Sequence, residues 1–129
     1  MRLTMNLLRA SLLPAFLLLA GCGPRGVAGE ACNKTGFVCQ DTATALECRG
    51  GAWVALPCRG SAGCAESGGN IQCDMTGNLA GDACASTSEG KGLCSADGKA
   101  TLECTSGALV ATNACSSCSV TADQVVCNQ

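Results

Sequence analysis

Cysteine is the residue type best placed to do chemistry in this chain, with 13 in 129 residues and no histidine anywhere. Three uses compete for so many sulfurs: metal ligation, thiol redox chemistry and crosslinking. Cys115-Ser116-Ser117-Cys118 has the C-x2-C spacing of a zinc knuckle. A structural zinc site usually completes its ligand set with a second knuckle or a histidine pair. The corresponding pair in the first half, Cys58 and Cys64, has five intervening residues, and there is no histidine to add. Neither a metal nor another cofactor is expected. A thioredoxin-type role for Cys115 and Cys118 would need the βαβ setting that lowers a thiol pKa, and no such pattern occurs. Crosslinking is the use that remains.

The other reactive groups give little. Without histidine the usual general base is missing, and no serine stands in a recognisable nucleophile context. Glu47 and Glu103 occupy equivalent places in the two halves. A glycosidase needs two carboxylates flanking one bond, so these single acids are expected to be solvated charges on an outer strand face. No enzyme is expected. Trp53, the single tryptophan, is the tentative ligand-binding residue. In so small a unit an indole either fills the core or stands out as a platform, where its π face can stack on a sugar ring. The second half has Leu109 in its place. Leucine can replace tryptophan in a core but cannot stack on a sugar, which leans towards packing. If Trp53 is a platform, only the first half retains one.

The apolar run Leu12 to Leu19 follows Arg2 and Arg9, the layout of a secretory signal peptide. The run is shorter than the roughly 20 apolar residues of a membrane span, and Pro14 interrupts it. Small residues close it, in Leu19-Ala20-Gly21-Cys22. This stretch resembles the lipobox of bacterial lipoproteins. The resemblance implies a signal peptide over residues 1–21, with Cys22 lipidated and left as the first mature residue. It also implies a cell-envelope location, anchored in a membrane and facing the periplasm or the surface. Gly23 follows Cys22 where some bacteria place an aspartate as an inner-membrane retention signal, so the outer membrane is favoured.

Assigning Cys22 to a lipid removes the odd thiol and leaves twelve, an even number suited to an oxidising compartment. The prefix carries both Arg2 and Arg9 and no acid, so the rest has six basic and ten acidic side chains, a formal charge of −4. That argues against nucleic-acid binding, which needs clustered Lys and Arg against phosphates, and against a polybasic membrane contact. Outside the signal peptide the only large aromatics are Trp53 and Phe37. Units of about 40 residues with so little to bury need crosslinks to stay folded.

These cysteines must be positioned by short strands. Residues 22–29 read as a tether. Gly29-Glu30-Ala31-Cys32 then recurs as Gly81-Asp82-Ala83-Cys84, 52 residues later. Leu46-Glu47-Cys48 matches Leu102-Glu103-Cys104, and Gly51-Ala52-Trp53-Val54-Ala55 matches Gly107-Ala108-Leu109-Val110-Ala111. The intervals between consecutive cysteines are 6, 8, 9, 5 and 8 residues in the first half and 9, 9, 10, 2 and 8 in the second. Number and order persist while loop lengths vary. The expected architecture is small disulfide-rich β, two tandem six-cysteine β-hairpin units over residues 30–74 and 81–128, joined by a linker at 75–80. The hairpin runs are Thr44 to Cys48 and Ala52 to Leu56 around Arg49-Gly50-Gly51, then Ala100 to Cys104 and Ala108 to Thr112 around Thr105-Ser106-Gly107. Third strands are expected at Ile71 to Cys73 and Val125 to Cys127. Period-two alternation puts Leu46 and Cys48 on one face, and Trp53 with Ala55 opposite Val54, Leu56 and Cys58.

Gly29-Glu30-Ala31-Cys32, Phe37-Val38-Cys39, Gly51-Ala52-Trp53-Val54, Pro57-Cys58, Gly63-Cys64 and Ile71-Gln72-Cys73 together resemble the six-cysteine chitin-binding modules of some fungal chitinases. The likeness covers residues 29–74 well and 81–128 in part. It implies the pairings Cys32–Cys48, Cys39–Cys73 and Cys58–Cys64, and in the second half Cys84–Cys104, Cys94–Cys127 and Cys115–Cys118. It also implies a noncatalytic binding role towards a glycan containing N-acetylglucosamine. The competing class is a structural or protein-interaction component of the envelope.

Overall fold

The computed structural model of the protein describes residues 26–129. The expected signal peptide, Cys22 and the start of the expected tether lie outside the described residues. Within them the chain is built from short strands, with no α-helix. Strands β1 (Phe37–Cys39), β2 (Thr44–Arg49) and β3 (Ala52–Pro57) form an antiparallel sheet in that order. β4 (Cys64–Ser67) and β5 (Asn70–Cys73) form an antiparallel pair beside it. After a 3-10 turn at Ser86–Ser88 come β6 (Gly92–Cys94), β7 (Ala100–Thr105) and β8 (Ala108–Ala114), a second three-stranded sheet. The antiparallel pair β9 (Ser117–Thr121) and β10 (Gln124–Asn128) follows.

Four connections set the strand registers. Gly50-Gly51, Gly68-Gly69, Ser106-Gly107 and Ala122-Asp123 each place two successive residues at positive φ. That is the type I′ geometry whose twist matches the flanking strands. The turns are therefore two residues long, and Arg49 and Thr105, expected in the loops, instead pair with Ala52 and Ala108.

The disulfides are Cys32–Cys48, Cys39–Cys64 and Cys58–Cys73, then Cys84–Cys104, Cys94–Cys118 and Cys115–Cys127. The first bridge of each half, Cys32–Cys48 and Cys84–Cys104, is one of the expected pairings. The other four bridges correct the expected pairings: Cys39 does not pair with Cys73, nor Cys58 with Cys64, nor Cys94 with Cys127, nor Cys115 with Cys118. The reason lies in the strand pairs. Cys64 and Cys73 face each other across β4 and β5, as Cys118 and Cys127 do across β9 and β10. Each pair sends one sulfur to the first strand of the neighbouring sheet and the other to the chain just after its third strand. Two crosslinks thus fasten each ribbon to a sheet. All twelve cysteines of residues 26–129 are consumed, so Cys115 and Cys118 offer no thiolate to a metal.

The unequal cysteine intervals have physical counterparts. The interval before β6 is three residues longer than that before β1, and the 3-10 turn at Ser86–Ser88 occupies that stretch. The one extra residue between Cys104 and Cys115 falls in a β-bulge of β8. There Thr101 pairs with Asn113 and Leu102 with Ala111, leaving Thr112 unpaired.

The buried apolar set is small: Ala45, Leu46, Leu56, Leu102 and Leu109, plus five half-cystines, Cys58, Cys64, Cys84, Cys104 and Cys115. Half of these buried residues are half-cystines, so the crosslinks themselves make up much of the core. One cluster gathers Ala45, Leu56, Cys58 and Cys64, and Phe37, Ile71, Ala83 and Ala85 pack on it. The second gathers Cys84, Leu102, Cys104 and Leu109.

Ala83 and Ala85 come from the second half, so the halves share a core surface. The stretch 75–80 belongs to that junction. Asn78 is fully buried, with its Oδ1 accepting from Arg59 N at 3.0 Å and its Nδ2 donating to Pro57 O at 2.7 Å. Arg59 reaches across to Asp82 with two hydrogen bonds, 2.7 and 2.9 Å. Glu47 overturns its expected role as a solvated charge: it is only 4 % exposed. Its carboxylate accepts from Arg49 and from Ser86, whose backbone N lies 3.1 Å from Oε2 and whose hydroxyl also donates to it. Arg49 in turn donates to Cys84 O at 2.8 Å. The second half covers the β2 face that alternation alone would leave to water. Glu103 remains exposed.

Candidate functional site

Trp53 is held in place from three directions. In β3 it stands opposite Cys48, which is bridged to Cys32. The free edge of β3 is taken up by the segment entering the fold. Gly29 N donates to Trp53 O at 2.8 Å, Trp53 N donates to Glu30 O at 2.9 Å, and Ala31 forms a bridge with Ala52. Gly26 then lies against the indole: a Cβ at that position would overlap Nε1 and fall 2.7 Å from Cε2. Only glycine fits this approach.

The same backbone arrangement recurs around Leu109. Gly81 N donates to Leu109 O, Leu109 N donates to Asp82 O, and Ala83 bridges to Ala108. The outcome for the side chain differs. Leu109 is 1 % exposed and fully part of a core cluster, whereas Trp53 is half-buried and lines an open groove of about 810 Å³. Trp53 belongs to neither core cluster and is only partly buried, so it takes neither of the two extremes open at the level of sequence.

The other walls of the groove come from the Cys32–Cys39 loop, the β1–β2 turn and the outer ribbon. They contribute Asn33, Lys34, Thr35, Asp41 and Glu66. Sequence reasoning passed over these residues, because they sit in loops and ribbons whose relative placement depends on the Cys39–Cys64 bridge. Asp41 accepts from Ala43 N at 2.8 Å, and that hydrogen bond holds its carboxyl below the usual aspartate value. An aromatic wall with amide, hydroxyl, ammonium and carboxylate groups around it can take an amphipathic ring. In such a setting an indole can cover the apolar face of a ring while neighbouring polar groups meet its polar substituents.

Comparison with known proteins returns no match: no family profile, curated protein or solved structure is significantly similar to this chain.

The tight Gly26–indole contact gives a direct test of the site. Gly26→Val should push the indole out of its seat, red-shift the emission of this single tryptophan and raise its quenching by acrylamide. Emission unchanged from the parent protein would contradict the packing described.

Proposed function

We propose that this protein is a lipid-anchored component of a bacterial cell envelope, attached through Cys22. Its role is noncatalytic binding of a glycan containing N-acetylglucosamine. The outer membrane is the favoured site, with the folded part facing the periplasm or the surface. Its two six-cysteine halves are read as a tandem duplication of one hairpin-based unit, over residues 30–74 and 81–128, of which the first carries the ligand.

The observation that carries this reading is the half-buried Trp53 lining a groove with Asn33, Lys34, Thr35 and Asp41. Sedimentation of the lipid-free protein, Cys22→Ser, with insoluble chitin or peptidoglycan tests the proposal. Trp53→Leu copies the residue at the equivalent position of the second half and should preserve the fold. It should weaken retention about tenfold or more, corresponding to roughly 1.5–3 kcal/mol of aromatic contact. Full retention by this variant removes Trp53 as the platform.

The alternative reading is a structural or protein-interaction envelope lipoprotein. It draws support from the exposed valines Val110, Val120 and Val126. It predicts no polysaccharide retention and a specific crosslinked protein partner in intact cells.

A further inference from the structure

Resting on the glycan reading and on lipidation of Cys22, we infer that the groove takes the saccharide headgroup of a lipid lying in the protein's own membrane. A polymer held away from that membrane is outside its reach. The basis is the length of chain left between the anchor and the groove. The tether was expected to run to residue 29, but Gly26 already lies against the Trp53 indole and itself lines the groove.

The following residues cannot be released cheaply to lengthen it. Ala28 N donates to Gln40 Oε1 at 3.2 Å, Gly29 N to Trp53 O at 2.8 Å, and Ala31 is bridged to Ala52. Four residue steps separate Cys22 from Gly26, and a fully extended chain spans at most about 3.6 Å per residue, or roughly 14 Å in all. Headgroup regions are on the order of 5–8 Å deep on each side of the hydrocarbon. On lipidation of Cys22, the Gly26 end of the groove therefore lies within about one or two sugar rings of the lipid surface. A saccharide on a neighbouring lipid shares that plane, and confinement of both partners to one surface raises their effective concentration. A glycan strand further out must be met by a groove whose Trp53 end is tied towards the bilayer.

The test uses the lipidated full-length protein in phosphatidylethanolamine–phosphatidylglycerol vesicles. Two probes are used: N-acetylchitobiose linked to diacylglycerol in the same vesicles, and insoluble chitin outside them. A second form carries a twenty-residue Gly-Ser spacer between Gly23 and Pro24, and Cys22→Ser supplies the lipid-free reference. The expected result has three parts. The lipid-free form binds chitin. The lipidated parent changes its Trp53 fluorescence with the glycolipid. Parent vesicles sediment with chitin about tenfold less than spacer vesicles. Equal sedimentation of parent and spacer vesicles overturns the inference while leaving glycan binding intact. Failure of the lipid-free form to bind chitin or chitobiose overturns the glycan reading, and this inference with it.

Discussion

Replacing Cys39 and Cys64 together by alanine lowers the unfolding free energy by about 3–4 kcal/mol in urea titration. This follows from a bridge that closes a loop of sequence separation 25 and from the loop-entropy relation for crosslinks. Loss of the bridge frees the β4–β5 ribbon from β1, so the polar side of the groove loses its fixed place even where the rest survives. Full reduction has the larger effect. With five half-cystines among ten buried apolar residues, the reduced chain keeps too little apolar surface to offset its conformational entropy, and it unfolds at room temperature. Non-reducing peptide mapping distinguishes the pairing. Cys39→Ala alone should leave Cys64 as the free thiol, not Cys73. A reduced protein with native strand content and undiminished stability would contradict the account of the core.

Glu47→Ala is the second large effect, at about 2–3 kcal/mol, because it leaves Ser86 and the inner side of Arg49 without their shared acceptor. Glu103→Ala on the exposed counterpart should change stability by less than about 0.5 kcal/mol. The same carboxylate gives the fold an acid sensitivity of known sign. Burial pushes the Glu47 carboxyl up, but hydrogen bonds from Ser86 and Arg49 outweigh it and hold the group below its ordinary value. The Arg59 hydrogen bonds do the same for Asp82. Groups lowered in the folded state bind fewer protons there than in the unfolded chain. Their stabilisation is therefore complete above the ordinary carboxylate range, near pH 4–4.5, and is lost as pH falls through the lowered values. Melting curves from pH 7 down to pH 2 should show this decline, and Glu47→Gln should flatten part of it. A parent protein equally stable at pH 2.5 and pH 7 would contradict the junction chemistry.

Much of the strand arrangement was legible because local rules govern it. Gly50-Gly51 marks a two-residue turn, and the runs on either side pair as expected, with each register one residue longer at the turn. Gly68-Gly69 carries the same signal for β4 and β5, although only β5 was expected there. The corresponding turn in the second half is Ala122-Asp123, where two residues adopt positive φ without any glycine. No local rule reveals it. Long-range features were less legible. Cys64 and Cys118 take partners set by how a ribbon lies on a sheet, which spacing does not encode. Glu47 looked solvent-facing because alternation describes one isolated hairpin, and it is the second half that covers that face. The groove was half legible: Trp53 stood out as the single tryptophan, while Asn33, Lys34, Asp41 and Glu66 gather beside it only through the tertiary fold.

The proposed recognition of a glycan through Trp53 is tested most directly by its own fluorescence, since this is the single indole of the chain and it lines the groove. Titrating the disulfide-intact protein with soluble N-acetylglucosamine oligomers should give a saturable change in emission. That change should grow with oligomer length up to the span of the groove and be absent for an unrelated neutral oligosaccharide such as maltotetraose. Emission that stays flat to millimolar oligomer, with chitin retention identical in the parent protein and Trp53→Leu, would contradict it.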